Sequence, residues 1–359
     1  MTKKKVLLII VVFLGLFLIA NSSTFQDKVF EMVLKRRVTP PRNYLGNNRN
    51  LDIIFCGSGS PFPDYSFKRG QACLAILAKN HFFLFDTGSG SADKIAIYQL
   101  PTRRLSQVFF SHLHSDHIAG LGEVRLQSWV QGKNEPLKVS GPKGTLRTVK
   151  GFYEAYFRDS GFRIAHHGID YLDPKGPTYI PQDITLGPGQ ESKVVFEEDN
   201  LKITVFLVNH APIEPAFGYR IDFGDRSVTY SGDTVKHKNI ARFGKNTDVL
   251  IHEALNGDMV KLIAKRLKEI SRLRLSKIMH DILDYHASPS EAAASANEAG
   301  ASLLALNHIV PPLPNRIVES IFLRKAKKVI KKDLLIAYDG LHIRLPLGTK
   351  EIIKDDLRP

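Results

Sequence analysis

Cysteine is scarce in this chain, with only Cys56 and Cys73 among 359 residues. Two cysteines are too few for a disulfide framework or for a zinc module held by cysteines. Both lie in apolar stretches typical of strands. Because cysteine is among the residues most often buried, we expect two buried free thiols. Low-complexity tracts and internal repeats are also missing, which argues against a repeat architecture.

A hydrophobic run long enough to span a bilayer is missing too. The N-terminal candidate, Val6–Ala20, has 15 uncharged residues. As a helix it would extend about 22 Å at ~1.5 Å per residue, less than a ~30 Å hydrocarbon core. This length fits a signal peptide or a short signal anchor, and the lysines before it favour an N-terminus on the inner side. The pattern predicts a membrane segment within residues 1–24 and an exported domain after it, periplasmic or extracellular/lumenal, which is secreted if the signal is cleaved.

The middle of the chain lacks the positive charge that the whole chain carries. The net charge is +14, but residues 1–50 contain nine Lys/Arg and two Asp/Glu, and residues 315–359 contain eleven Lys/Arg and six Asp/Glu. Residues 51–314 contain 30 Lys/Arg and 28 Asp/Glu, so this part of the chain is nearly neutral. Basic ends fit an anionic membrane as well as a polyanion, whereas RNA phosphates require a basic face at the site itself. We therefore expect a membrane partner and disfavour RNA.

The chain is organised as one large domain with short flanking segments. Residues 25–50 are basic and rich in proline and asparagine, which is typical of a linker. Strand patterns come first and helices alternate with strands later, so residues 51–347 form one α+β domain, followed by a charged tail over residues 348–359. Three local predictions are one helix over residues 258–275, a helix in SPSEAAASANEAG and a closing hairpin in LLIAYDGLHIRLPL.

The segment HLHSDH follows the strand pattern LSQVFFS and supplies His112, His114, Asp116 and His117. Zinc takes about four histidine or carboxylate ligands, so this loop alone cannot complete two sites. Further candidates stand where apolar strand patterns end, namely His210, Asp233, His252, His286 and His308. A carboxylate such as Asp233 can bridge two cations with its two oxygens. The pattern therefore indicates a metal site with room for two ions.

Further motifs accompany HLHSDH along the chain, namely FCGSGSPFP, FLFDTGSGS, VNHAP, YSGDT, DVLIHEAL, YHASPSEAAASANEAGASLLALNHIVP and AYDG. The set resembles the motifs of the metallo-β-lactamase-fold hydrolases, in particular the ribonuclease Z and arylsulfatase-like branch. Together the motifs of this chain cover nearly the whole of residues 51–347. The resemblance implies a four-layer αβ/βα sandwich with the metals at one edge.

The resemblance also implies roles for the matching residues. The first zinc would be held by His112, His114 and His210. The second would be held by Asp116, His117 and His308, with Asp233 bridging the two. The catalytic candidates are Asp116, which would orient the metal-bound water, and His286, which would assist proton transfer to the leaving group. Residues expected to hold a ligand in place are Asp86, His252 and Glu253.

The implied activity is ester hydrolysis by a dinuclear zinc enzyme with a metal-bound hydroxide as nucleophile, and Mn²⁺ or Fe²⁺ are alternatives to zinc. The substrate would be a phosphate or sulfate ester, in the manner of a phosphodiesterase or an arylsulfatase. Alternatives are a tRNA 3′-end processing endoribonuclease, a lactonase, and a non-catalytic metal-binding protein tethered to the membrane. The oligomeric state stays open, with a homodimer as one option. His166, His167 and His280 receive no role.

The chain departs from ribonuclease Z at two points. That family carries a long arm for tRNA between the third metal histidine and the bridging aspartate, but here His210 and Asp233 are only 23 positions apart. The family also has an acidic residue three positions before the bridging aspartate, where this chain has Tyr230. Both departures argue against tRNA as the substrate. Within residues 117–210, the segment FYEAYFRDSGFR is long enough to cover the site or to contact a substrate.

Overall fold

The computed structural model describes residues 19–64 and 68–358, together with Lys5, Phe13 and Phe17. Contacts within the chain divide it into two compact units, Met1–Arg42 and Asn43–Pro359. In the described part of the chain, no helix is both long and apolar enough to cross a membrane. Most of the expected membrane segment, residues 1–24, lies outside the described residues.

The smaller unit contains helix α1 (Ser23–Arg37). It begins at Ser22, whose side chain accepts a hydrogen bond from the backbone N–H of Phe25 at 3.3 Å, as is usual at a helix N-terminus. The segment expected to be a linker, residues 25–50, therefore includes most of a 15-residue helix.

Fifteen strands are found among the described residues of the larger unit. In chain order they are β1 (Asn50–Gly57), β2 (Cys73–Ala78), β3 (His81–Phe85), β4 (Leu105–Phe109), β5 (Leu137–Gly141), β6 (Tyr179–Asp183), β7 (Ser192–Glu198), β8 (Leu201–His210), β9 (Ile213–Phe223), β10 (Arg226–Tyr230), β11 (Val249–Leu255), β12 (Leu303–Val310), β13 (Asp333–Ile336), β14 (Leu341–Pro346) and β15 (Ile353–Asp356). The first sheet has the order β15-β14-β1-β2-β3-β4-β5-β6, and the second has the order β13-β12-β11-β10-β9-β8-β7.

The described helices of the larger unit lie between these strands in the sequence. They are α2 (Ser91–Ile97), α3 (Ser115–Ile118), α4 (Leu121–Val130), α5 (Thr145–His167), α6 (Lys238–Phe243), α7 (Gly257–Glu269), α8 (Leu273–Asp281), α9 (Pro289–Ala299), α10 (Arg316–Leu323) and α11 (Ala326–Val329). One 3₁₀ turn covers Thr102–Arg104.

Apolar side chains form one cluster between the two sheets and one on each outer face. The inner cluster includes the rings of Phe85, Phe109 and Tyr219. A second cluster packs α2, α4 and α5 on the first sheet, and a third packs α6, α9, α10 and α11 on the second sheet. The central strands are buried on both faces, which explains their nearly continuous apolar sequences. The layers run helix, sheet, sheet, helix, so the predicted four-layer αβ/βα sandwich is confirmed.

Helices α7 and α8 replace the single helix predicted over residues 258–275. Ser271 lies between them with φ of 59°, a left-handed conformation that a right-handed helix cannot continue through. The Oγ of Ser276 in α8 donates a hydrogen bond to the carbonyl of Ala264 in α7 at 2.8 Å. The two helices therefore form a hairpin, and the prediction of one helix is wrong.

The predicted hairpin over residues 334–347 is also wrong, because its two strands belong to different sheets. Strand β13 pairs with β12 in the second sheet, and β14 pairs with β1 in the first. Asp339 holds the crossing between them, since its carboxylate accepts hydrogen bonds from the N–H groups of Ser58 at 2.9 Å and Gly70 at 2.6 Å. In the C-terminal tail, β15 pairs with β14 and extends the first sheet.

Cys56 and Cys73 form a disulfide between β1 and β2, so the expectation of two free thiols is wrong. Both cysteines are buried, as expected. Strands β1 and β2 pair in antiparallel fashion, with a shift in register between Phe55 and Gly57 that brings Cys56 beside Cys73. The pairing therefore depends on a strand register that the sequence pattern does not reveal.

The core between the sheets gives a stability prediction. The Phe109 ring is fully buried, with its centroid 5.3 Å from that of Phe85 and 5.6 Å from that of Tyr219. Phe109→Ala should lower the free energy of unfolding by about 3–5 kcal/mol, because a cavity is left in a close-packed layer. Phe157→Ala on the exposed face of α5 is the control, and it should change the free energy of unfolding by no more than about 0.5 kcal/mol. Equal urea midpoints for the two variants would contradict this account of the core.

Candidate metal centre

The candidate ligands lie where strands of both sheets end at one edge of the sandwich. In the first sheet, β3 and β4 run parallel, and Asp86 and the histidine loop follow their carboxyl ends. In the second sheet, β10, β11 and β12 run parallel. Asp233 follows β10, and His308 lies near the end of β12. The carboxyl ends of parallel strands meet at one edge of a sheet, so the fold brings together residues that are far apart in the sequence.

The histidine loop changes from extended chain to helix within four residues. His112 lies outside any helix or strand, and His114 has extended backbone angles immediately before α3. Asp116 and His117 are both in the single turn of α3 and both are buried. This change of direction separates the loop into two pairs of side chains, which are the pairs that the resemblance assigned to two different zinc ions.

The first group consists of three histidine nitrogens that face one another. Nε2 of His112 is 2.9 Å from Nδ1 of His114, and Nε2 of His210 is 3.4 Å from the same atom. Tetrahedral ligands about 2.0 Å from a zinc ion are themselves separated by roughly 3.3 Å. The spacing of these nitrogens is therefore that of ligands to one shared ion.

The second group combines two carboxylates with two histidines. Oδ2 of Asp116 is 3.1 Å from Nε2 of His308 and 3.5 Å from Nε2 of His117. Oδ2 of Asp233 is 3.4 Å from each of the same two histidine nitrogens. It is also 4.0 Å from the Nε2 atoms of His112 and His210 in the first group. Asp233 thus lies between the groups, where the sequence expected a bridging carboxylate.

Three buried atoms in this cluster have no hydrogen-bond partner among the described residues. They are Nε2 of His117, Oδ1 of Asp233 and Nδ1 of His308, in residues that are 0%, 2% and 2% exposed. A buried polar atom without a partner costs about 1–3 kcal/mol, so such atoms are rare unless a ligand satisfies them. Nitrogen and carboxylate donors in this arrangement suit a divalent cation of the zinc class.

The pKa shifts of three candidate ligands, His112, His210 and Asp233, favour the protonation states of metal ligands. Burial lowers the pKa of His112 well below its usual range, and His117 lowers it further. Burial also lowers the pKa of His210. For Asp233, burial alone would raise the pKa, but His308 and His117 outweigh it and hold the pKa well below its usual range. Neutral imidazoles and ionised carboxylates are the forms that bind divalent cations. For His117, burial lowers the pKa, but the carboxylates of Asp233 and Asp116 outweigh it and raise the pKa well above its usual range.

Asp86 fixes the orientation of His117. It is fully buried, and its Oδ2 accepts hydrogen bonds from Nδ1 of His117 at 2.9 Å and from the hydroxyl of Tyr230 at 2.8 Å. Its Oδ1 accepts from the N–H of Ser111 at 2.8 Å. Because Nδ1 of His117 carries the proton in this bond, Nε2 is the nitrogen that remains as a metal donor.

Gly232 in YSGDT lets the two sheets approach at the site. Its φ is 59°, and a Cβ at this position would lie 2.5 Å from the carbonyl oxygen of Phe217. The N–H of Phe217 in the second sheet donates a hydrogen bond at 2.9 Å to the carbonyl of Ser111 in the histidine loop. Glycine is therefore required here both by conformation and by space.

His286 and Glu253 form a second oriented pair. Nδ1 of His286 donates to Oε1 of Glu253 at 2.8 Å. That oxygen also accepts from the N–H groups of Thr234 at 3.0 Å and Ala287 at 3.2 Å. Burial opposes protonation of His286, but the carboxylate of Glu253 outweighs it and raises the pKa of His286 to about 8. The capping box of α9, which confirms the helix predicted there, begins two residues later at Ser288.

Several of these residues line a cavity of 720 Å³. They are His114, Asp116, Asp233, His286 and His308. Apolar side chains of α7 and α8 line the same cavity. The candidate ligands are therefore accessible from a cavity of the size that small molecules occupy.

All seven expected metal ligands meet at this edge. Of the three residues expected to hold a ligand in place, two contact a histidine of the site and one does not. Asp86 and Glu253 each contact a site histidine, whereas His252 is buried and bonds through Nδ1 to the carbonyl of Glu253. The unassigned His166 and His167 are exposed at the end of α5, and His280 is exposed on α8.

Two positions that contribute to the site were missed from the sequence. The carbonyl of Tyr285 accepts from Nδ1 of His210 at 2.8 Å and so directs Nε2 of that ring to the cluster. The backbone of any residue could supply this carbonyl, so no sequence signal marks it. Tyr230 was noted only as a departure from the family, but its apolar strand position before SGDT is consistent with the buried hydroxyl that bonds to Asp86.

The comparisons with known proteins agree with this geometry. The family model described as "Beta-lactamase superfamily domain" matches residues 81–309. A protein named ribonuclease Z from Mycobacterium sp. (strain KMS) is 33% identical over 265 residues, which cover 73% of this chain and 85% of the relative.

Two solved structures share the fold. The metallo-β-lactamase-fold protein YhfI of Bacillus subtilis has a TM-score of 0.58 at 21% identity, covering 83% of this chain and 100% of that chain. The short form of human tRNase Z has a TM-score of 0.56 at 22% identity, and the match covers 81% of this chain and 98% of that chain.

The fold is that of the metal-dependent hydrolases, and it implies that the clustered histidines and aspartates bind divalent metal. The chain belongs to the β-lactamase superfamily and, within it, to the ribonuclease Z family.

The role of Asp86 gives a metal-affinity prediction. Asp86→Asn should weaken divalent metal binding about 10–100-fold, because His117 loses the carboxylate that orients it. The affinity is measured by competition with a chromophoric chelator. Asp170→Asn, at an exposed position, is the matched control and should bind metal as the unmodified chain does. An unchanged affinity in Asp86→Asn would show that His117 needs no orienting partner.

Proposed function

We propose that this chain is a dinuclear zinc-dependent phosphodiesterase. The observation that carries the proposal is the position of Asp233. It lies 3.4 Å from the nitrogens of His117 and His308 and 4.0 Å from that of His112, between two separate sets of metal donors. One set consists of three histidines, and the other consists of one aspartate and two histidines. The two sets, joined by the carboxylate of Asp233, can hold two ions, and a two-ion site is suited to in-line displacement at phosphorus.

The proposed reaction is hydrolysis of one phosphate ester bond. Two cations held by these residues would lower the pKa of water and offset charge on the phosphate oxygens. Asp116, which lines the cavity, accepts a hydrogen bond from the attacking water and directs its oxygen to phosphorus. The oxygen of water bonds to phosphorus, the bond from phosphorus to the leaving oxygen breaks, and a proton ends on the departing alcohol.

His286 is the proposed source of that proton. It lines the same cavity as Asp116, and its Nδ1 is fixed by Glu253. Its Nε2 is therefore the nitrogen available to a leaving group. With a pKa raised to about 8, the imidazole is protonated at neutral pH and so can act as a general acid.

The relatives support phosphate, rather than sulfate, as the ester. The relative from Mycobacterium is named a ribonuclease, and ribonucleases act on phosphodiester bonds. This similarity also favours tRNA 3′-end processing as a second candidate, although the sequence alone disfavoured RNA. Against it, the chain between His210 and Asp233 is occupied by β9, β10 and their short turns, which leaves no room for an arm.

We also propose that the domain is exported and tethered by its N-terminal segment. The support is the run Val6–Ala20 with its preceding lysines. A disulfide between Cys56 and Cys73 is consistent with this location, because disulfides form and persist in oxidising compartments. Mass spectrometry of the mature N-terminus from a membrane fraction tests the tether, and a chain that begins after residue 20 in the soluble fraction would refute it.

A pair of activated esters tests the proposed activity. The zinc-loaded chain should hydrolyse bis(4-nitrophenyl) phosphate and leave 4-nitrophenyl sulfate unchanged. Asp116→Ala is the blank, and it should lose turnover by about two orders of magnitude or more while its free energy of unfolding changes little. Release of nitrophenolate is followed by absorbance. A preference for the sulfate, or unchanged turnover in Asp116→Ala, would refute the proposed reaction.

The raised pKa of His286 gives a pH prediction. The proton-donating form is fully present below the pKa and is lost as the pH rises through about 8, so kcat should fall there. Glu253→Gln removes the charge that raises this pKa, so the alkaline limb of the kcat profile should move to lower pH. Glu298→Gln, an exposed residue of α9, is the control and should leave the limb in place. The assignment fails if the limb stays fixed in Glu253→Gln.

A further inference from the structure

One part of the lining of the cavity, contributed by α7, α8 and the residue that follows them, is apolar. It is formed by Leu267 of α7, Leu275, Ile278 and Met279 of α8, and Ile282 just beyond. This wall belongs to the same continuous cavity as Asp116, Asp233 and His308. A substrate whose phosphate reaches those ligands must therefore place another part of itself against these side chains.

The apolar wall is a built feature of the fold. Met279 is 7% exposed and packs with Val260 and Ala264 of α7, which are fully buried. The hydrogen bond from Ser276 to the carbonyl of Ala264 fixes α8 against α7. The side chains of the wall are therefore held in position beside the metal ligands, as a preformed pocket requires.

Lysine and arginine are scarce in the described lining of the cavity. Arg272, in the turn between α7 and α8, is the single residue of these two types there, and no ion pair involves it among the described residues. A strand of RNA carries a charge at every nucleotide and is bound by grooves with several cations and stacked aromatic rings.

The tip of the hairpin combines exposed apolar and basic side chains. Ile270 is 48% exposed and Leu273 is 62% exposed, on either side of Arg272. Residues 257–281 contain seven Lys/Arg and three Asp/Glu. Apolar side chains among basic ones are the composition of surfaces that lie against anionic lipid. Arg272 of this surface is exposed and also lines the cavity.

On these grounds we infer that the substrate is a single-chain amphiphilic phosphodiester. Its alkyl or acyl chain lies against the wall formed by α7 and α8, its phosphate reaches the metal ligands, and Arg272 pairs with the phosphate at the mouth. The inference rests on the proposed phosphodiesterase function and names its substrate class. At 720 Å³ the cavity is within the range of about 300–1,000 Å³ that holds small-molecule ligands.

A homologous series of esters tests the inference in the full-length, zinc-loaded chain. The substrates are methyl, butyl and octyl 4-nitrophenyl phosphate, each below its critical micelle concentration, so that only the alkyl group differs. Each methylene that leaves water contributes a factor of about 4. We expect kcat/KM to rise at least ~100-fold from the methyl to the octyl ester, with most of the change in KM.

Variants of the wall connect that preference to these helices. Leu275→Gln and Ile278→Gln should each lower the octyl-to-methyl ratio of kcat/KM by about tenfold or more, because the chain then meets a polar side chain. Leu262→Gln, at a 68% exposed leucine of α7 outside the cavity lining, is the matched control and should keep the ratio of the unmodified chain. Titration calorimetry with octylphosphonate and methylphosphonate measures the same preference without turnover, and binding of the octyl compound should be tighter.

The outcomes separate this inference from the proposed function. Equal kcat/KM for the methyl and octyl esters, or more efficient cleavage of a short oligoribonucleotide than of the octyl ester, would overturn the amphiphilic substrate and leave phosphodiesterase activity intact. No turnover of any of these phosphodiesters would overturn the proposed function and the inference together. A preference for octyl that survives both wall substitutions would show that the chain lies elsewhere, which also overturns the inference.

Discussion

The site depends on one buried carboxylate, that of Asp86. It is fully buried, and it accepts hydrogen bonds from Ser111 and His117 of the histidine loop and from Tyr230 of the second sheet. Removing a carboxylate from water is costly unless its oxygens are hydrogen-bonded, and here both of them are. The same bonds fix which nitrogen of His117 faces the metal position and hold the loop of the first sheet to the second.

The two-sheet architecture explains why the ligands are spread over the sequence. Several strands that end at the common edge are followed by metal ligands, and the connection between β11 and β12 contributes the α7–α8 hairpin to the same cavity. The metal ligands therefore lie close to the strands of the sandwich, whereas the apolar wall comes from a connection between strands. Connections of this kind vary without disturbing the core, so substrate preference can change while the chemistry is kept.

The sequence predicts the ligand set well and its surroundings poorly, for a physical reason. Metal ligands must be histidine or aspartate, and their positions after strand ends leave a readable pattern, as in HLHSDH. Contacts that depend on register or on backbone leave none. The disulfide needs Cys56 and Cys73 opposite one another, and the bond to His210 comes from a carbonyl. The helix break combines the left-handed backbone of Ser271 with the packing of α8 against α7. Tertiary contacts decide each of these.

The central claim is that two separate donor sets share one bridging carboxylate, Asp233. Anomalous X-ray scattering at the zinc edge from crystals of the zinc-loaded chain tests it most directly. We expect two peaks beside Asp233, one among the three histidines that include His112 and the other among Asp116, His117 and His308. A single peak, or peaks away from Asp233, would contradict the account.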